Sequence, residues 1–265
     1  MTFIKYGRHD PLSFFAIYYD RHDHNLPAPI SEIVLLSAAG LTPTYNALIT
    51  DVPENDYMLT IHHLNNSRSQ RVLWLLEELG VEYDIRNYQR DSVTSLAPPE
   101  LFEVHPLGKS PVLTDDKNTV IESGAIIDYI VRHYGGGRLA PQAGTSAYEN
   151  YLQWMHYAEG SAMLPLMLKM YTGRLPDGGE LLQPRINSEL DNHLGFMDRA
   201  LENQDWFVGN EFSAADIQLS FVPQVGKLLY GLENFSNLAA FLDRIHARPA
   251  YQRAHERGGP YAYGS

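Results

Sequence analysis

The chain has 265 residues, 44% of them apolar and 11% aromatic, which is enough for a sizeable core in one large domain or two modest ones. Twenty Lys and Arg against thirty-two Asp and Glu leave a net charge of -12, a field that repels nucleic-acid phosphates and anionic membranes. With no cysteine in the sequence, disulfides, thiolate metal ligands and a cysteine nucleophile are excluded.

Residues 1–57 carry Pro11, Pro27, Pro29, Pro43 and Pro53, which interrupt every periodic stretch before two helical turns, so an irregular extension is expected there. No order of positive charge, apolar core and small-residue cleavage site opens the chain, and no apolar run approaches the roughly 20 residues of a membrane helix. No membrane partner and a cytoplasmic location are therefore expected. From Met58 the pattern changes: Leu59 and Ile61 alternate as a strand, a polar tip follows at Asn65-Asn66-Ser67-Arg68-Ser69, and Val72, Leu75, Leu76 and Leu79 mark a helix that Gly80 should end. Val81, Tyr83 and Ile85 alternate again, which completes a βαβ unit with a right-handed crossover.

After Pro98, Pro99 and Pro106, the runs Pro111-Val112-Leu113 and Thr119-Val120-Ile121 read as a hairpin. Ser123 is expected to cap a helix that buries Ile126, Ile127, Ile130 and Tyr134, and Gly135-Gly136-Gly137 marks a domain boundary. The rest reads as helices over residues 148–171, 184–202, 214–230 and 238–248, the third opened by a capping box, Ser213-Ala214-Ala215-Asp216.

A serine at a helix start offers a hydroxyl beside free N–H groups and the positive dipole end, and an adjacent Glu can hold an ammonium. Glu122-Ser123 thus suits an amino acid's charged pair, or else is a cap with a solvated Glu. His62 and His63 are neighbours on a strand, point to opposite faces and read as structural. Nucleotide, zinc-protease and serine-hydrolase motifs do not occur.

Four segments, in order, carry a family resemblance. Leu64-Asn65-Asn66-Ser67-Arg68-Ser69-Gln70-Arg71-Val72-Leu73-Trp74-Leu75-Leu76-Glu77-Glu78-Leu79-Gly80 resembles the first strand tip and helix of bacterial and fungal glutathione transferases. His105-Pro106-Leu107-Gly108-Lys109-Ser110-Pro111-Val112-Leu113, Glu122-Ser123-Gly124-Ala125-Ile126 and Arg248-Pro249-Ala250-Tyr251 resemble later motifs of that family, and the likeness covers about residues 58 to 255. It implies an α/β thioredoxin-like N-terminal domain (βαβ-α-ββα) over 58–136, a linker over 137–144 and an all-α C-terminal helical domain over 145–265, preceded by the irregular extension. Since such chains usually start where Met58 stands, the first 57 residues are expected to reflect a mis-assigned start, which amino-terminal peptide analysis would test.

The resemblance also implies a detoxifying transferase that conjugates glutathione, its co-substrate, to a hydrophobic electrophile, with no metal, nucleotide or nucleic acid, and acts as a homodimer. Glu122 and Ser123 would hold the γ-glutamyl group, Ser110 and a cis Pro111 the peptide backbone, and Lys109 the glycyl carboxylate. A thiol of pKa about 8.5 needs a donor to become a thiolate at neutral pH. Family members carry it five residues before the arginine equivalent to Arg71, which here is Asn66, with Ser67 one residue later, so either residue would serve. Trp154, Tyr157, Glu159 and Met163 would form the electrophile's wall. Glutathione-dependent disulfide or peroxide reduction in the same pocket, and a non-catalytic binding or assembly protein, remain the alternatives.

Overall fold

The computed structural model describes residues 59–116 and 118–264 and, within the first 58, the strands Thr2–Lys5 (β1), Phe14–Tyr18 (β2) and Leu36–Ser37 (β3). The chain divides into two compact units, Met1–Glu54 and Asn55–Ser265. In the first, β1, β2 and β3 pair antiparallel in that order, with Phe3 opposite Ile17 and Phe15 opposite Leu36. The irregular extension expected here contains these strands of two to five residues, too short to leave a periodic signal in the sequence. Met58, read as a start, lies outside the described residues.

In the second unit a four-stranded mixed sheet has the order β5-β4-β6-β7. The strand Thr60–Leu64 (β4) leads into the helix Ser69–Leu79 (α1) and returns as the parallel strand Asp84–Tyr88 (β5). Gly80 ends α1 at φ 64°, a left-handed conformation that costs glycine nothing, and the Val81 N–H donates back to the Leu76 carbonyl. That closing turn takes Val81 out of β5, so the strand starts three residues later than its alternation suggests. A short helix, Leu101–Val104 (α2), precedes the hairpin of Val112–Thr114 (β6) and Thr119–Ile121 (β7), and Ser123–Tyr134 (α3) closes the α/β layer.

The remainder is helical: Ser146–Tyr157 (α4), a π-turn at Ala158–Ala162, Met163–Thr172 (α5), Gln183–Ala200 (α6), Ala214–Leu219 (α7), Phe221–Leu229 (α8), Ser236–His246 (α9) and Pro249–Gly258 (α10). The expected helix over 148–171 is thus broken by the π-turn that carries Glu159. α10 was not anticipated, because only Ala250, Tyr251 and Ala254 give it an inward face. It is held on α1 by charge: Arg248 pairs with Glu78, and Arg253 and Arg257 pair with Glu77. One hydrophobic core runs from Leu59 through Trp74, Ile126, Trp154 and Phe207 to Tyr261, and so crosses the boundary expected at 137–144.

The capping box at α7 forms as expected, with the Ser213 N–H and hydroxyl both donating to Asp216. Asp216 also accepts from the Phe207 N–H at 2.9 Å and is fully buried, and burial lifts its pKa to about 6. Asp216→Ala is expected to cost about 2 kcal/mol, the lost cap and two orphaned N–H groups partly offset by removing a buried charge. Because the folded pKa lies above the unfolded value, this carboxyl's contribution is present below pH 4 and lost as pH rises through about 6. Wild-type stability should therefore fall relative to Asp216→Asn across that window, by on the order of 2 kcal/mol in denaturant titrations.

Candidate functional site

The C-terminal end of β4 is where the expected site residues meet. The Ser110–Pro111 peptide is cis, and β6 pairs with β4 only as far as His62 opposite Val112. Ser110 extends that contact with its side chain: its hydroxyl donates to the His62 carbonyl at 2.8 Å and accepts from the Leu64 N–H at 3.1 Å. The main chain of Ser110 is left outside the ladder, on the sheet end that carries Asn65 and Asn66. Lys109 is exposed on the same loop. Gly108 sets the loop's course at φ 54°, and a Cβ there would lie 2.6 Å from the Phe102 ring. Gly108→Ala is therefore expected to displace the loop and to weaken at least tenfold, by equilibrium titration, the binding of any ligand that pairs with it, with much less effect on the melting temperature.

At the start of α3 the N-cap is Glu122, not Ser123 as the sequence suggested. Glu122 sits at φ 66° and ψ 116°, a costly conformation for a residue with a Cβ, and makes no side-chain cap. The first N–H groups of α3 thus have no side chain over them, a geometry that favours a carboxylate. Ser123 is buried, and its hydroxyl accepts from Arg71 Nη2 at 2.6 Å, which leaves the serine's own proton free to donate.

Arg71 is the hub beneath this turn. Its guanidinium is wholly buried and donates to the Gln218 carbonyl, the Ser123 hydroxyl and Glu159. Arg68 adds two bonds to Glu159, at 2.8 and 2.9 Å, and lies over the Phe221 ring. Burial alone would raise the Glu159 pKa, but Arg71 and Arg68 hold it below the usual carboxylate range. Glu159, itself partly exposed, therefore ties the start of α1 to the π-turn through Arg68 and Arg71. Trp154 and Met163 are core residues, 4% and 2% exposed, and Tyr157 is half-buried with its hydroxyl on His193 Nδ1. The wall expected from these four residues is mostly interior, because their helical spacing is that of a core-facing stripe.

The tip resolves through donors and acceptors. A carbonyl can only accept, so His63 Nε2 must donate to the Gly258 carbonyl at 3.0 Å, and in the neutral ring Nδ1 is an acceptor. Burial lowers the His63 pKa and favours that neutral ring, against the bond to Gly258. Nδ1 then accepts from the Ser69 hydroxyl at 2.8 Å, which the Leu64 carbonyl shares at 3.3 Å, and Ser69 accepts from the Ser67 hydroxyl at 2.7 Å. Ser67 also accepts from the Ser69 N–H and is buried, so its proton is committed inward. Asn66 differs: it holds φ 50°, which asparagine tolerates, and its amide nitrogen has no partner among the described residues. Arg90, which no motif singled out, clamps the tip from just beyond β5 by donating to the carbonyls of Asn65 and Asn66. His62 bonds Tyr88 and Thr114 on the other face, so both histidines are structural.

A cavity of about 370 Å³ opens beside the tip, between Asn65, Asn66 and Gln89 on one side and Pro260, Tyr261 and Ala262 on the other. Among the described residues no group of three or more His, Asp or Glu is placed to hold a metal ion, and no helix is long and apolar enough to cross a membrane.

A thioredoxin-like layer with a cis proline at the sheet end, joined to an all-helical layer, defines a glutathione-transferase architecture. Residues 59–132 match the glutathione S-transferase N-terminal domain and residues 161–249 the C-terminal domain. The chain is 32% identical to glutathione S-transferase 3 of Schizosaccharomyces pombe over 216 residues, 76% of this chain and 88% of that one. Among solved structures, a glutathione S-transferase from Actinobacillus pleuropneumoniae is 33% identical, with a TM-score of 0.70 over 77% of this chain and 94% of the other. A sphingomonad glutathione S-transferase complexed with glutathione is 25% identical, with a TM-score of 0.63 over 76% and 98%. The chain belongs to the glutathione S-transferase family.

Proposed function

We propose that this chain binds glutathione at the end of β4 and conjugates its thiolate to a small electrophile. The observation that carries the reading is the Asn66 amide nitrogen, without a partner among the described residues, on the same sheet end as the cis Ser110–Pro111 loop, with Ser123 joined to α1 through Arg71. The tripeptide's peptide groups would pair with the Ser110 main chain, its γ-glutamyl carboxylate with the first turn of α3, its ammonium with Glu122 and its glycyl carboxylate with Lys109. Asn66 would donate to the sulfur, and Ser67 would hold the turn. Glutathione bound to the sphingomonad relative supports the ligand.

The electrophile's place is the cavity between Asn66 and the 260–262 segment, whose mixed lining suits an apolar body with a polar handle. The expected homodimer is part of this reading, supported by exposed Leu96, Phe102 and Leu107, which a second copy would cover. Glutathione titration with thiolate absorbance as readout tests the site. Saturation with a lowered thiol pKa supports it, and no binding at millimolar tripeptide ends it. Parallel rates with an aryl halide and a mixed disulfide then distinguish conjugation from reduction, while binding without either rate would favour a non-catalytic protein.

A further inference from the structure

Asn66 is held from a distant part of the chain. Its Oδ1 accepts from the Ala262 main-chain N–H at 2.7 Å, across 196 residues of sequence. An N–H can only donate, so the carboxamide must turn its oxygen to Ala262 and its NH2 group the other way. A flip would set donor against donor. The segment that supplies this N–H is anchored. Gly259, at φ 77°, turns the chain after α10, and Tyr261 is buried with its hydroxyl donating to Gln224 Oε1 at 3.1 Å. Tyr263 packs edge-on against Phe221, the ring beneath Arg68. Arg90 thus holds the main chain of Asn66, and Ala262 holds its side chain.

We propose that the Ala262 main-chain N–H is a positioning group that aims the Asn66 NH2 at the sulfur of bound glutathione. This rests on the reading of Asn66 as the sulfur's donor. The bond to Ala262 leaves the amide one orientation in which both its ends are used, so the donor is set before the ligand arrives. Ala262 lines the cavity proposed for the electrophile, but its main-chain N–H acts on the sulfur only through Asn66.

The test is the pKa of the bound thiol, followed by thiolate absorbance in the full chain, for wild type, Ala262→Pro, Asn66→Gly, Asn66→Asp and the double variant Ala262→Pro with Asn66→Gly. Ala262→Pro removes the N–H and is expected to raise the bound thiol pKa by about one unit while glutathione affinity stays within about twofold. It should add nothing in the Asn66→Gly background, since the group it orients is already gone. Asn66→Asp tests the same geometry without altering the 259–264 segment: it can still accept from Ala262 but presents an oxygen to the sulfur, so its thiol pKa should exceed that of Asn66→Gly. An Ala262→Pro thiol pKa equal to wild type, an equal rise in both backgrounds, or Asn66→Asp below Asn66→Gly would each overturn the proposal while the donor reading stands. A wild-type thiol no more acidic than free glutathione would overturn both.

Discussion

Replacing Asn66 with glycine is expected to raise the pKa of bound glutathione's thiol by one to two units while the tripeptide still binds. Glycine adopts the φ of 50° found there, so the loop keeps its path and Arg90 keeps its bonds to the two tip carbonyls. Besides the bond from Ala262, what disappears at the sulfur is one hydrogen bond to an ionised acceptor, worth about 1.5–3 kcal/mol, which at about 1.4 kcal/mol per unit converts to that shift. Conjugation rate at pH 6.5 should fall by about 10- to 100-fold, and the difference should close near pH 9.5, where the thiol is ionised in both proteins. Ser67→Ala is the control. Its hydroxyl already donates to Ser69, so its loss should loosen the tip without shifting the thiol by more than a few tenths of a unit. A larger shift from Ser67→Ala than from Asn66→Gly would assign the donor to the serine.

Glu159→Ala is expected to destabilise the fold by about 3 kcal/mol, because it leaves the guanidinium of Arg71 buried without its counter-ion. For a chain of this size that lowers the melting temperature by about 6–12 °C. Glu159→Gln keeps an acceptor for Arg71 and Arg68 and should lose less. Since Arg71 also donates to Ser123, a shift of the guanidinium moves the turn proposed to hold the γ-glutamyl end, and the KM for glutathione should rise more than kcat falls. The opposite pattern, an unchanged melting temperature with a raised KM for the electrophile, would restore Glu159 to the substrate wall that its place on the helix first suggested. Both predictions separate residues that the sequence places together: two candidates on one tip, and four on one helical stretch.

Much of the framework was legible because its signals are local. The βαβ unit, the Gly80 stop, the hairpin, α3 and the capping box before α7 each rest on residues within one or two turns of each other. The three strands of the first unit and α10 were not legible, the strands being too short for a period and α10 showing only three apolar positions. In the site, Glu122-Ser123 and Ser110-Pro111 could be found as pairs, but nothing local marks Arg90 or Ala262. Asn66 lies 24 residues from Arg90 and 196 from Ala262, and the bonds between them depend on how β5 and the segment after α10 pack.

The amino-acid sequence by itself determined the kind of fold, the end of the sheet where the candidate residues gather, and the exclusion of a cysteine nucleophile belonging to the protein. Which tip hydroxyl is already engaged within the protein, and that Glu159 pairs with a buried arginine, was decided only by tertiary structure. The physical reason is that a hydroxyl has one proton and a buried guanidinium needs a counter-charge. Both are claimed by groups far away in sequence, the one through His63 and Gly258, the other through Arg71.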